Sequence, residues 1–379
     1  MPLTMPAQPV YLTSFGHHSA CGNNLARASD AIIAGHIPAC TRHFAGSCWP
    51  YNTIDLPSDD WQTGVKHAIC AVGEEIRAGL TLSETAWREA GFFLASSIPY
   101  LGDIRHMAEE TWAQRPFPAQ FARQAAEWLG IHTQPWCIAT ACTSSLTALD
   151  AAAALIRAGK LQHALILGVE LPNQTTLAGF AALGLISPDA CRPFDKARNG
   201  LVLGEAIGGV WLSHQPCGQG LQWQLLGIAS TLDTFSATGP DPSGAPIIAA
   251  MRQALAEANL SAGDIDLIKL HAAGSPAVDQ AEATALHQLF TGNEIPPLWS
   301  PKANLGHTLG ASGAVELSAL TGCLAKGVIP ATAGFATPDS ALALQPTTVL
   351  QRSRPQHILF NLIGFGGSIA ALALGRIAS

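Results

Sequence analysis

The chain has 379 residues, 48% of them hydrophobic and 12% charged, with a formal net charge of -7. That length and apolar content exclude a disordered chain and allow either two core-bearing units or one large merged domain. A negative balance without any run of Lys or Arg excludes the basic stripe that nucleic acid binding needs.

So few charges imply a large interior and an extensive subunit interface. Nine cysteines are scattered along the chain, an odd number in a protein too large to need disulfide staples, and they read as thiols in a reducing compartment. The N-terminal residues lack a basic segment ahead of an apolar one, and no uninterrupted apolar stretch is long enough to cross a bilayer. The expectation is a cytoplasmic protein without a membrane span.

In chain order, residues 34–125 mix Trp and Pro with fragments of amphipathic pattern, such as Trp61–Arg77 and Phe117–Leu129. Short helices and irregular connections are predicted there. Pro135–Ala141 then reads as a strand, Ser144–Ala158 as a helix of strong helix formers stopped by Gly159, and His163–Glu170 as a strand. The apolar run Leu203–Leu212 gives way to the polar, turn-rich Ser213–Gly220, which places a half boundary there, with residues 1–215 and 216–379 on either side. Beyond it follow a strand Leu221–Ala229, a helix Ala245–Ala258, a strand Ile265–His271, and helices Gln280–Phe290 and Ser312–Leu324. Strands alternating with helices predict an α/β protein, and the second half repeats the element order of the first without a visible residue-level repeat.

Four stretches carry chemistry. Thr140-Ala141-Cys142-Thr143-Ser144-Ser145 sets a thiol among small residues where a strand turns into a helix. Unpaired N–H groups and the helix dipole there favour thiolate, hence a nucleophile near neutral pH. A buried structural cysteine is the bland alternative. The apparent strand Ile265–Leu270 delivers His271 at its C-terminal end, where ligands of α/β sheets gather, although a lone histidine there is more often a hydrogen-bonded core residue. Between Ser300 and Glu316, a Gly-rich turn surrounds His307 with Lys302 and Glu316 close in sequence. Phe360–Ser368 contains Gly364-Phe365-Gly366-Gly367, a turn between two strands able to present backbone N–H groups to an anion.

These stretches, in this order, with the segment Cys191–Glu205 ahead of the half boundary, resemble the β-ketoacyl-acyl-carrier-protein synthases of the thiolase superfamily over nearly the whole chain. The resemblance implies duplicated βαβαβαββ halves in a five-layer α-β-α-β-α sandwich. It implies that Cys142 takes an acyl group from the phosphopantetheine arm of an acyl carrier protein, with no further cofactor and no metal. His271 and His307 would bind the malonyl thioester and promote its decarboxylation. Lys302 and Glu316 would support His307, Phe365 would act as a gate, and the N–H groups of Cys142 and Phe365 would form an oxyanion hole.

This chain departs from the family at His271-Ala272-Ala273-Gly274-Ser275, where the family reads His-Gly-Thr-Gly-Thr. Ala273 and Ser275 replace pantetheine-contacting threonines. Gly204-Glu205-Ala206 stands for Gly-Glu-Gly, and Val278 for an Asn before Asp279. These differences point to a divergent synthase, in fatty acid or polyketide/polyene chain elongation. The alternative is a non-catalytic, chain-length-factor-like subunit paired with an active synthase, so a homodimer and a heterodimer with a sister subunit both stand.

An acidic carrier must dock through a local basic patch, for which Lys196 and Arg198 are candidates, followed by Lys66 and Arg192. Metal binding by His17, His18 and Cys21, or by Cys40 and His43, is outweighed by ordinary packing, since paired Cys-x-x-Cys knuckles are missing. A cysteine hydrolase would need a base and an orienting acid that have no recognisable context here.

Overall fold

A computed structural model describes residues 8–44, 46–58, 60–97, 118–172 and 174–377. Numbering the strands of its main sheet in chain order, β1 is Tyr11–Ser19, β2 Gly91–Ala95, β3 Trp136–Ile138, β4 His163–Glu170 and β5 Ala206–Ser213. The second set is β6 Trp223–Leu232, β7 Leu267–Lys269, β8 Leu298–Trp299, β9 His357–Ile363 and β10 Ser368–Arg376. In the first set β1 pairs antiparallel with β5, β5 antiparallel with β4, β4 parallel with β2, and β2 parallel with β3. The second set repeats that pattern, with β6, β10, β9, β7 and β8 in the same roles. A short antiparallel contact, Tyr11 to Gln224 and Leu12 to Trp223, joins the sets through β1 and β6.

Side-chain alternation along the strands builds the layers. In β2, Phe93 and Ala95 face a central core, while Phe92 and Leu94 face an outer one. The central core takes the helices Ser144–Arg157 and Ser312–Ala325, packed between the two strand sets. Trp61–Ala78 and Pro118–Leu129 cover the first set from outside, and Ala245–Ala258 and Pro276–Leu289 cover the second. The result is the five-layer order α-β-α-β-α. Ser312–Ala325 is buried from Ser312 to Leu324, which explains why apolar and small residues surround it and makes its one carboxylate, Glu316, conspicuous.

The predicted bounds of His163–Glu170 and Ala245–Ala258 agree with the structure. The strand expected over Ile265–His271 contracts to Leu267–Lys269, leaving His271 on the turn beyond it. The irregular reading of residues 34–125 needs correction, since it contains the 18-residue helix Trp61–Ala78 and the fully buried β2. Glycines disguised the helix, yet Gly73 marks close packing: a Cβ there would lie 2.3 Å from Leu129 Cδ2. Residues 98–117 of that stretch lie outside the described residues.

Candidate active site

Three sharp turns deliver the three predicted side chains to one place. After β3, a 3-10 turn Ala141–Thr143 precedes the Ser144–Arg157 helix and carries Cys142. His271 lies two residues past β7. His307 follows the short helix Lys302–Leu305 and is clamped by the backbone of the first half, its N–H donating to Val202 O at 2.6 Å and its carbonyl accepting from Gly204 N at 3.1 Å. Gly306 makes that approach possible, with φ of 75° and space for no more than a hydrogen where a Cβ would sit 2.9 Å from Leu203 O. Non-glycine residues with positive φ stand beside all three: Ala141 at 51°, Ala272 at 34° and Leu309 at 44°. Strain of this kind persists only where surrounding structure enforces it.

Hydroxyl groups enforce it around the thiol. Ser144 Oγ donates to Ala141 O at 2.6 Å, Thr143 Oγ1 meets Ser368 Oγ at 2.6 Å, and Ser145 Oγ donates to Gly310 O at 2.5 Å. The Cys142 turn is thereby tied to the Phe365 turn and to the His307 turn. Glu282 does the same for His271, accepting from the N–H of His271 at 2.7 Å, the N–H of Ala272 at 2.8 Å and the Asn361 amide at 2.7 Å.

The side chains converge. His307 Nε2 lies 3.1 Å from Cys142 Sγ, and the His271 and His307 rings meet edge to face at 5.3 Å between centroids. Cys142, His271 and His307 are each 3% exposed. Lys302 Nζ reaches His307 Nδ1 at 3.1 Å and Glu316 Oε1 at 2.5 Å. An ammonium can only donate, so Nδ1 accepts and the imidazole carries its proton on Nε2, aimed at the sulfur. Burial pushes both histidines well below the usual imidazole range, and the Lys302 charge adds to this, so both are neutral donors.

The thiol departs from expectation. Burial pushes Cys142 up to about 11, although the Phe365 N–H, the Lys302 charge and its own N–H all act in the opposite direction. Desolvation therefore outweighs the helix end, and the resting group is a thiol.

One cavity is lined by Cys142, His271, His307, Ala273, Ser275 and Phe365, placing the two departures from the family's threonines on its wall. A second, of about 310 Å³, opens beside Cys142 between Ser97, Thr175, Phe180 and Leu183. Phe365 lines both and packs on Phe180 at 5.3 Å between ring centroids.

The docking residues fare differently. Lys196 and Lys66 are exposed, but Arg198 is not a free surface cation: its guanidinium is 8% exposed, bonded to Asp339 at 2.6 Å and to Asp195 O at 3.0 Å. Arg192 is held by Asp189 at 2.6 Å. His17 has both ring nitrogens engaged, with Ser318 and Ser19, each at 2.7 Å.

Sequence reasoning missed Lys269, Glu282 and Glu170. Lys269 donates to Glu316 from the strand that leads to His271. Glu170, at the end of β4, accepts from the N–H groups of Ser97 and Gly310, both at 3.0 Å, and burial raises it to about 7. Glu282 sits eleven residues beyond His271 with nothing local to mark the contact.

Residues 71–216 match the N-terminal domain of β-ketoacyl synthases, and residues 224–336 match the C-terminal domain. Nodulation protein E of Rhizobium meliloti is 31% identical over 270 residues, covering 69% of this chain and 67% of that protein. The 3-oxoacyl-(acyl-carrier-protein) synthase 2 of Mycobacterium tuberculosis is 34% identical over 254 residues, 62% of this chain and 60% of that one. Among solved structures, the ketosynthase ApeO in complex with its chain length factor ApeC, from Xenorhabdus doucetiae, aligns with a TM-score of 0.81 and 25% identity, covering 98% of both chains. Both matched domains, the repeated strand order and these relatives lead to one assignment: the chain belongs to the β-ketoacyl synthase family, with its thiolase-like fold.

Proposed function

We propose that the chain performs the decarboxylative Claisen condensation of an acyl group held on Cys142 with a malonyl thioester, in fatty acid or polyketide/polyene chain elongation. The observation that carries this reading is the 3.1 Å approach of His307 Nε2 to the Cys142 sulfur, with His271 edge-on to the same imidazole. In the first half-reaction the sulfur attacks the carbonyl of an acyl thioester, and the departing carrier thiol leaves with the cysteine proton. The N–H groups of Cys142 and Phe365, both directed at the sulfur, are placed to receive the oxyanion.

In the second half-reaction the malonyl carboxylate leaves as carbon dioxide, and its bonding electrons become the enolate. Two neutral imidazoles that donate N–H stabilise the thioester oxygen where that charge appears, so no base for carbon is required. The enolate carbon attacks the acyl-cysteine, and the sulfur departs to regain a proton. Substrates arrive on the phosphopantetheine arm of an acyl carrier protein, past Ala273 and Ser275, so fewer hydroxyl contacts hold the arm. Lys196 remains the candidate docking cation.

The partner reading stays open because solved relatives include a ketosynthase paired with a chain length factor. Retention of Cys142 beside both histidines favours catalysis. The purified chain alone, given acyl and malonyl carrier proteins, is expected to yield the β-ketoacyl product by chromatography. Product only on adding a sister subunit would mark a heterodimer, and no product in either case would reject the reading.

A further inference from the structure

Glu316 is shared. One oxygen accepts from Lys302, which orients His307, and the other accepts from Lys269, the last residue of β7 and two residues before His271. All three side chains are fully buried. A single lysine would neutralise the carboxylate, and burying a second cation is unfavourable unless it is paired and hydrogen-bonded. Lys269 also rests 3.9 Å from the Phe360 ring centroid, a face that attracts a cation. Other ionisable groups around it are Lys302, His271 and His307, and Glu282 on the helix Pro276–Leu289, whose carboxylate is occupied by two backbone N–H groups and the Asn361 amide.

We propose that Lys269 is a positioning residue of the condensation site: sharing Glu316 with Lys302, it locks the lysine that orients His307 and sets a second buried positive charge behind both imidazoles. This rests on the reaction proposed above. Its consequence follows from charge. Lys269 opposes protonation of His271 and of His307, so its removal makes each imidazole easier to protonate. A protonated His307 carries a hydrogen on Nδ1 that faces the Lys302 ammonium, and the orienting contact is lost.

The test is the pH profile of carbon dioxide release from malonyl carrier protein, for wild type, Lys269→Met, Lys269→Gln and Lys269→Arg. The Met and Gln variants are expected to lose rate on the order of tenfold to a hundredfold on the acidic side. Their acid limb should move toward higher pH by about one unit, and Arg should restore it. Gln keeps a donor for Glu316, so it tests charge even where Met fails to fold. Loss of rate with an unmoved limb would make Lys269 merely structural, and an unchanged rate would remove it from the site. A wild type that releases no carbon dioxide would instead defeat the condensation reading. Titration of the histidine ring signals by NMR, in wild type and Lys269→Gln, still decides the charge claim: unchanged midpoints overturn it.

Discussion

The two halves lay out the same five strands, and they turn corresponding junctions to different uses. After β3, a three-residue 3-10 turn with positive φ at Ala141 leads into a 14-residue helix that begins at Ser144. After β8, another three-residue 3-10 turn, with positive φ at Leu309, leads into a 14-residue helix that begins at Ser312. The first junction presents a thiol. The second presents an imidazole just ahead of the turn and a carboxylate, Glu316, one turn inside the helix. Beyond β2 and at the end of β4 the first half offers Ser97 and Glu170, whereas beyond β7 the second offers His271, backed by Lys269. The two halves thus form matching frames, and in the proposed reaction one holds the acyl group while the other supplies the cations and donors that stabilise negative charge.

The sharpest way to break this division is Cys142→Ala. Acyl transfer should fall by a thousandfold or more, on the order seen when a nucleophile is removed, while malonyl decarboxylation, assigned to the second half, should continue. Loss of both activities in a folded variant would show that the halves do not divide the chemistry.

The buried carboxylates give the next contrast. Glu316→Gln leaves two buried ammonium groups without their anion and should destabilise the fold by about 3–5 kcal/mol, read from urea unfolding. Glu170 is held by backbone N–H groups and raised by burial to about 7, so its protonated form is favoured in the folded state. Its contribution is fully present below the unfolded carboxylate value and is lost as pH rises through about 7. Glu170→Gln should therefore cost little at acidic pH and gain up to about 3 kcal/mol over wild type above neutrality. A pH-independent difference between the two proteins would overturn that assignment.

The smallest effect is expected at Arg198→Ala. The pair is largely buried, with side chains 8% and 17% exposed, so losing it should lower stability by about 2 kcal/mol. The Michaelis constant for the carrier protein should not change, and a large rise would restore Arg198 as a docking residue.

Much of the site was legible in the sequence. Cys142 and His271 stand just past strand ends among small residues, and His307 shares a Gly-rich stretch with Lys302 and Glu316. Lys269 was not legible, because a lysine in an apolar run reads as a strand residue turned to solvent, and its partner lies 47 residues away. The same distance problem hid Glu282 from Asn361, at 79 residues' separation. The thiolate expectation erred because a helix end can be read locally, while desolvation depends on everything packed around the sulfur. Arg198 shows the same limit: its charge was visible, but its partner, 141 residues on, was not. The halves were legible only as element order, since the corresponding junctions carry different residues, Cys142 at one and His307 with Glu316 at the other.

The most direct measurement is the mass of the intact protein after exposure to an acyl carrier protein, followed by a malonyl chase, for wild type and His307→Ala. The account predicts one acyl adduct, mapped to Cys142, that disappears on the chase in wild type and persists in the variant. An adduct on another cysteine, or one cleared equally fast without His307, would contradict it.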